Sequence, residues 1–158
     1  MSTANRVTID APKLRRTRAI ARRLARLLRA GDVLLLQGPL GAGKTAFAQG
    51  LGEGLRLETA VSSPTFVLMA RHEGPLRLFH ADLYRLEDPE EVAELALAEQ
   101  AAEGVLAVEW PERALEVLPS EHLLVIIEPV PDDVDARRIT LVPRGARAQE
   151  LLDGLGDV

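Results

Sequence analysis

A glycine-rich segment between an apolar run and a helical pattern constrains the fold most strongly. It reads Gly38-Pro39-Leu40-Gly41-Ala42-Gly43-Lys44-Thr45 and fits the pattern G-x-x-x-x-G-K-[ST]. The preceding run, Asp32–Gln37, contains four consecutive aliphatic residues, as is typical of a buried parallel strand. A helix is predicted from about Lys44 to Glu53. This order of strand, turn and helix predicts an α/β protein with the turn at the edge of a parallel sheet.

The segment is suited to binding phosphate. Its glycines tolerate the dihedral angles that turn backbone N–H groups inward, and the following helix directs its positive dipole end at the same anion. Lys44 supplies a mobile charge for the β- and γ-phosphates, and the Thr45 hydroxyl is a ligand for Mg²⁺. The predicted nucleotide-binding residues of the loop are Gly38, Leu40, Gly41, Ala42, Gly43, Lys44 and Thr45, with Lys44 also catalytic and Thr45 also a metal ligand.

Two acidic residues at the ends of predicted strands are candidates for metal and water chemistry. Glu109 follows the apolar run Val105–Val108, which matches a buried central strand, and is predicted to be the metal-side carboxylate. Asp82 follows the less apolar run Leu76–Ala81. It is predicted to be either a second group around magnesium or the group that orients the attacking water.

The serine-rich segment Ser62–Phe66 follows the first helix of the nucleotide unit. It has two interpretations. It either forms a plain Ser-Pro turn or closes over the γ-phosphate and offers it a hydroxyl.

The remaining pattern predicts a single domain. A capping acid followed by proline marks a helix start at Asp88. We predict one P-loop NTPase-like domain over residues 1–158, with three layers and a central, mostly parallel mixed sheet flanked by helices. Further strands are predicted at Arg6–Asp10, Thr65–Arg71, Leu76–Ala81, Gly104–Val108, Leu123–Ile127 and Arg137–Val142. The last two strands form a pair across the polar stretch Pro131–Ala136. Further helices are predicted at Lys13–Ala30, from Asp88 to about Ala102, and at Pro111–Leu118.

Composition excludes several classes of protein. The chain has 158 residues, 47% of them hydrophobic and 27% charged, which is typical of a globular protein with one core. No apolar stretch approaches the roughly 18 residues that span a bilayer. The lack of cysteine excludes disulfides and a cysteine nucleophile, and three scattered histidines argue against a zinc site. The N-terminus is rich in arginine and poor in acids, as transit peptides are, but it lacks their serine content and the apolar core of a secretory signal, so a cytoplasmic location is predicted.

Charge is unevenly distributed along the chain. The net charge of −5 argues against a protein that coats nucleic acid. Residues 1–30 nevertheless carry nine basic side chains against one acid, and residues 82–116 carry eleven acids against two arginines. Two solvated helix faces are the simpler interpretation. A tRNA contact on the basic helix and a docking surface for a basic partner on the acidic helix are the alternatives.

Four blocks of sequence, in order, resemble the TsaE (YjeE) family, the small P-loop ATPases of bacterial threonylcarbamoyladenosine biosynthesis on tRNA. The blocks are Gly38–Thr45, Ser63–Leu68, His80–Leu86 and Val108–Glu112. The last two are far more specific than a glycine-rich motif alone. Matched spacing extends over roughly residues 17 to 119, so the resemblance covers most of the chain.

The resemblance implies roles for individual residues. Lys44 and Thr45 match the phosphate and magnesium residues of the family, and Glu109 matches its magnesium-associated glutamate. Asp82 matches an aspartate required for ATPase activity. Thr65 lies in the switch-like loop, which adds it to the implied catalytic residues.

Three more residues are implied to lie near the nucleotide: Thr17, Trp110 and Arg138. Without the resemblance, a single tryptophan would be expected to pack in the core. The sequence also departs from the family at two positions. Pro39 replaces a residue that is usually acidic, and Ala96 stands where a glycine is common.

The implied function is that of an ATPase subunit with ATP and Mg²⁺ as cofactors. Its partners would be TsaB and TsaD, and it would meet tRNA only through that complex. TsaD would transfer the threonylcarbamoyl group, while ATP hydrolysis by this subunit would support repeated turnover.

Three rival functions share the glycine-rich loop. A small P-loop kinase acting on a small-molecule acceptor needs an arginine-bearing lid, yet Arg113 is the only arginine between Leu86 and Ala136. A GTPase switch usually needs an Asn-Lys-x-Asp segment, and Asn5 is the only asparagine. A nucleotide-dependent binding module would hold magnesium without turnover.

Overall fold

Strands and helices alternate along the chain in the computed structural model, which describes residues 5–62 and 68–156. The strands are β1 (Val7–Ala11), β2 (Val33–Gln37), β3 (Met69–His72), β4 (Leu78–Asp82), β5 (Val105–Glu109), β6 (His122–Val130) and β7 (Asp133–Arg144). The helices are α1 (Leu14–Ala25), α2 (Lys44–Gly54), α3 (Pro89–Glu94), α4 (Leu97–Ala101) and α5 (Ala146–Leu155), with two 3₁₀ turns at Pro111–Arg113 and Leu115–Val117.

The strands form one mixed sheet in the order β1-β7-β6-β2-β5-β4-β3. Its centre is parallel, because β6, β2, β5 and β4 run in the same direction. The edges are antiparallel, with β7 and β1 on one side and β3 on the other. Glu109 is level with Leu36 on one side and with Asp82 on the other. The carboxyl ends of β2, β5 and β4 therefore meet at one edge.

Helices cover both faces of the sheet. Alternate residues of β2 point to opposite sides, so Leu34 and Leu36 pack in the core beneath α1, α2 and α5. Val33 and Leu35 pack in a second core beneath α3, α4 and the first residues after the 3₁₀ turns. This arrangement confirms the predicted layered α/β domain.

A close contact between α1 and α2 fixes the position of α2. Gly50 faces α1, and a Cβ atom at that position would lie only 2.8 Å from the Cβ of Ala21. Hydrogen-bonded pairs flank the contact, with Arg18 donating to Gln49 at 2.7 Å. Because α2 cannot move away without opening this interface, its first turn is held at the end of β2.

The first helix is shorter than predicted. It was expected to reach Ala30 but ends at Ala25. Arg147 on α5 donates to the carbonyl of Leu27 at 2.8 Å and forms an ion pair at 2.9 Å with the buried carboxylate of Asp32. These long-range partners replace the helical hydrogen bonds that would continue α1.

The acidic segment forms two short helices, so the single helix predicted to about Ala102 is wrong. Its start is confirmed, since Asp88 and Glu91 form a capping box. The break lies at Ala96, whose backbone is left-handed with φ 51° and ψ 47°. The turn brings Leu97 into the second core.

The C-terminal third differs most from the sequence expectations. The stretch Pro131–Ala136 is not a long connector, because β6 and β7 form a hairpin and β7 already begins at Asp133. The predicted helix Pro111–Leu118 is replaced by the two 3₁₀ turns. α5 was not predicted. Residues 65–67 of the strand predicted at Thr65–Arg71 lie outside the described residues, and β3 begins at Met69.

None of the helices in the described ranges is long and apolar enough to cross a membrane.

Replacing Ala96 by glycine should stabilise the protein. Glycine adopts the left-handed backbone without the cost imposed by a Cβ atom, and the exposed methyl group contributes little packing. We expect Ala96→Gly to raise the free energy of unfolding by about 1 kcal/mol, measured by urea denaturation. Ala93→Gly within α3 is the matched control and should lower it by about 0.5–1 kcal/mol. Equal destabilisation by both variants would contradict the assigned backbone conformation.

Candidate nucleotide-binding site

The glycine-rich loop joins the end of β2 to the start of α2, as predicted. Gly38 packs so closely on β6 that a Cβ atom would collide with the carbonyl oxygen of Ile127. Gly43 precedes α2 with a left-handed φ of 106°, and no side chain caps the helix. The first amides of α2 are therefore oriented for an anion at the loop.

Lys44 lies folded into the loop and is buried. Its ammonium donates to the carbonyls of Gly38 and Pro39, the latter at 3.0 Å, and lies 3.8 Å from the ring centroid of Trp110. Burial lowers the pKa of Lys44, while the carboxylate of Glu109 is the largest influence in the opposite direction. The Lys44 ammonium therefore lies among carbonyl dipoles and the face of the Trp110 ring. A bound phosphate could attract it away from these groups.

The two predicted acids lie next to each other at the carboxyl edge. Asp82 and Glu109 end adjacent parallel strands and are directly opposite in register. Glu109 is buried, and its Oε2 lies 2.6 Å from Nε2 of His80. Asp82 is less buried and accepts a hydrogen bond at 3.0 Å from the N–H of Tyr84. Burial raises the pKa of Asp82, partly offset by this hydrogen bond.

Two aromatic rings form one wall of the site. The centroids of Tyr84 and Trp110 are 4.9 Å apart with an angle of 43° between the rings. Arg113 lies over the Tyr84 ring at 5.8 Å. The backbone of Trp110 is left-handed, with φ 59° and ψ 48°, a costly conformation for a bulky residue. Strain of this kind persists where the surrounding structure requires it, and here it places the indole over Lys44.

These groups surround a cavity of about 380 Å³, a size suited to a small ligand. Five residues that were not predicted also line it: Leu14, Arg18, Ala46, Gln49 and Tyr84. No motif pointed to Leu14, Arg18 and Gln49, which reach the cavity through the packing of α1 on α2. Predicted residues that line it are Leu40, Gly41, Ala42, Gly43, Lys44, Thr45, Asp82, Glu109 and Trp110.

Three predicted residues that the structure describes do not line the cavity. Gly38 lies beneath the loop against β6. Thr17 is fully buried on α1, and its hydroxyl has no hydrogen-bond partner within the described parts of the chain. Arg138 is exposed on β7 and forms an ion pair with Asp10 at 3.7 Å. Thr65 lies outside the described residues.

Arg137, which was not predicted, contacts the glycine-rich loop. Its Nε donates to the carbonyl of Ala42 at 2.7 Å and its Nη2 to the carbonyl of Gly41 at 3.0 Å. The same guanidinium donates to the carbonyls of Val134 and Ala136. Strand alternation predicts that neighbouring arginines point to opposite faces, but only the three-dimensional packing shows which one meets the loop.

The donor atoms of the site fit a magnesium ion that arrives with a nucleotide. Thr45 and Glu109 line the same cavity and offer a hydroxyl and a carboxylate, which are hard oxygen ligands. Residues 5–62 and 68–156 contain no cluster of three or more His, Cys, Asp or Glu that could hold a metal alone. Magnesium at nucleotide sites typically needs only one or two protein ligands, because phosphates and water supply the rest.

Comparison with known proteins identifies the family. The family model described as "Threonylcarbamoyl adenosine biosynthesis protein TsaE" matches residues 11–139. The chain belongs to the TsaE family. It is 43% identical over 141 residues to the Bacillus subtilis protein named tRNA threonylcarbamoyladenosine biosynthesis protein TsaE, covering 88% of this chain and 87% of that protein. It is 42% identical over 137 residues to the Streptomyces coelicolor protein of the same name, covering 82% and 92%.

A solved structure supports the same assignment. The crystal structure of Bacillus subtilis YdiB is similar with a TM-score of 0.80 and 33% sequence identity, covering 98% of this chain and 97% of that one. The P-loop NTPase-like fold of the TsaE family therefore extends over nearly the whole chain. The family resemblance drawn from the four sequence blocks is confirmed.

The two neighbouring arginines of β7 should differ sharply in their contribution to stability. Arg137→Gln removes four hydrogen bonds from a buried guanidinium, so we expect a loss of about 2–3 kcal/mol in the free energy of unfolding. Arg138→Gln removes only an exposed ion pair and should change it by less than about 0.5 kcal/mol. Chemical denaturation measures the free energy of unfolding of both variants. A larger loss of stability in Arg138→Gln than in Arg137→Gln would contradict the observed packing.

Proposed function

We propose that this protein is a magnesium-dependent ATPase that acts with TsaB and TsaD in the threonylcarbamoyladenosine modification of tRNA. One observation carries the proposal: the glycine-rich loop at the start of α2 faces Asp82 and Glu109 across one cavity. A phosphate site beside two carboxylates is the arrangement that phosphoryl transfer to water requires. The names of the relatives supply the pathway.

Binding would begin with the phosphates of ATP. The amides at the start of α2 and the Lys44 ammonium meet at the same end of the cavity. The phosphates would draw Lys44 away from the carbonyls of Gly38 and Pro39, to which it donates. The charge on Lys44 and the oriented amides would then offset the negative charge on the β- and γ-phosphates.

Hydrolysis would follow by attack of water on the γ-phosphorus. A bond forms between the water oxygen and phosphorus, and the bond to the bridging oxygen of ADP breaks, releasing inorganic phosphate. Asp82 is the candidate to orient the water, because its carboxylate lines the cavity next to Glu109. Thr45 and Glu109 would hold Mg²⁺, which supplies charge stabilisation to the phosphate oxygens.

The electrostatics of the cavity support the proposed dependence of turnover on partners. Arg18 lines it, but its guanidinium is bound to Gln49 at 2.7 Å. An arginine supplied by another subunit raises turnover by about 10³–10⁵-fold in related P-loop enzymes. We therefore propose that this protein hydrolyses ATP slowly alone and faster within the complex.

ATP hydrolysis measured with and without the TsaB–TsaD pair from the same organism tests the proposal. We expect phosphate release to rise by at least about tenfold with the pair and to be lost in Lys44→Ala, since that variant lacks the cation that stabilises developing charge. Turnover that is indifferent to the pair would contradict the partner assignment. Transfer of the phosphoryl group to an added small-molecule acceptor would instead identify a kinase.

Asp82→Asn separates hydrolysis from nucleotide binding. The amide has the same shape and can still accept the hydrogen bond from Tyr84, so ADP affinity should stay within about threefold while turnover falls by about 10²–10⁴-fold. Calorimetry measures the affinity, and phosphate release measures the turnover. Glu87→Gln, an exposed acid in the same connecting segment, is the control and should retain both. Full hydrolysis by Asp82→Asn would contradict the role assigned to Asp82.

A further inference from the structure

A buried histidine holds the carboxylate of Glu109. His80 is fully buried on β4, and its Nε2 lies 2.6 Å from Oε2 of Glu109, which is itself only 3% exposed. An ionised carboxylate can only accept a hydrogen bond, so the proton of this contact is carried by Nε2. A short, charge-assisted bond between two buried groups fixes both side chains.

The register of the sheet explains why these side chains meet. His80 is level with Ala107, two residues before Glu109 on β5. Residues two apart share one face of a sheet, so His80 and Glu109 point to the same side. That side carries α2, whose first turn contains Thr45. The histidine therefore lies directly behind the carboxylate, and the carboxylate faces the cavity.

Within residues 5–62 and 68–156, the side chain of His80 makes no other hydrogen bond that would explain its burial. Its Nδ1 is buried and has no partner among the residues that the structure describes. A buried polar atom without a partner costs free energy, so a histidine at this position is a poor choice for stability alone. Its contact with Glu109 is the interaction that distinguishes it from an apolar residue of similar size.

We propose that His80 is a positioning residue for the metal-side carboxylate. By binding Oε2, it holds Glu109 in the rotamer that faces the cavity, so the carboxylate needs no reordering when Mg²⁺ and nucleotide arrive. Partners behind a metal ligand typically change metal affinity by about 10–100-fold when removed. This inference rests on the proposed function, because it takes Glu109 as a magnesium ligand.

The affinity of the protein for a metal ion, rather than its ATPase activity, tests the proposed role of His80. Mn²⁺ serves as the probe, and its binding to the protein–ADP complex is measured by electron paramagnetic resonance. ADP binding in EDTA is measured separately by calorimetry. We expect His80→Leu to weaken Mn²⁺ binding by about 10–100-fold while metal-free ADP affinity stays within about twofold. A purely structural role would weaken both together, which would overturn the proposal.

Two conservative variants sharpen the test. His80→Gln keeps an N–H donor at nearly the same distance from the backbone and should retain Mn²⁺ affinity within about threefold. His80→Asn places its amide closer to the backbone and should lose affinity as His80→Leu does. If His80→Leu does not fold, the difference in Mn²⁺ affinity between His80→Gln and His80→Asn tests the proposal. Equal Mn²⁺ affinity of these two variants would overturn it.

A neighbouring histidine provides the matched control. His72 is also buried, lies on the adjacent strand β3, and contacts Thr59 rather than Glu109. His72→Leu should leave Mn²⁺ affinity unchanged. If the wild-type protein binds ADP but shows no Mn²⁺ binding to the complex, the proposed metal site fails. If wild-type Mn²⁺ binding is normal and His80→Leu equals it, only the role of His80 fails.

Discussion

The candidate site depends on the register of three parallel strands. Pairing of β5 with β2 and β4 places Glu109 level with Asp82 and brings both acids to the edge where the glycine-rich loop begins. A shift of one residue in either pairing would turn the corresponding acid to the other face of the sheet. The apolar cores on both sides oppose such a shift, because it would move every buried side chain of the strand into the opposite core, where the packing does not match its size and shape. Packing therefore maintains the geometry of the polar groups.

The free-energy cost of forming the site lies mainly in its buried polar residues. Lys44, His80 and Glu109 are all buried, and Trp110 has a strained backbone. Each of these features opposes folding unless its neighbours compensate. The compensation is local: carbonyls and an indole face surround the ammonium, and the imidazole binds the carboxylate. The Glu109 carboxylate is thus held in place before any ligand binds, which favours electrostatic stabilisation of developing charge.

Much of the fold and part of the site could be predicted from the sequence. The loop, Asp82 and Glu109 could be placed because each follows a short apolar run, and strand ends meet at one edge of a parallel sheet. The break at Ala96 had one signal, the glycine that is common at this position in the family, but the alanine itself does not favour a left-handed backbone and the buried position of Leu97 decides the break. The early end of α1 depends on Arg147, more than a hundred residues away.

Which of the two adjacent arginines of β7 contacts the loop also depends on contacts between distant segments. Arg137 and Arg138 are the same residue type on opposite faces of one strand, and only the packing of the hairpin against the loop shows which face meets it. The cavity residues Leu14, Arg18 and Gln49 likewise depend on how α1 packs on α2. Local pattern predicts which residues end a strand, whereas contacts between distant segments determine which side chains line the cavity.

The support behind the glycine-rich loop has a consequence for synthesis of the chain. The loop rests on the carbonyl of Ile127 beneath Gly38 and on Arg137 at the carbonyls of Gly41 and Ala42. Both supports belong to the β6–β7 hairpin, which leaves the ribosome well after the loop. A nascent chain therefore carries the complete motif for a long time before it has the wall that shapes it. The loop therefore reaches its final shape only when the hairpin adds its strands to the sheet.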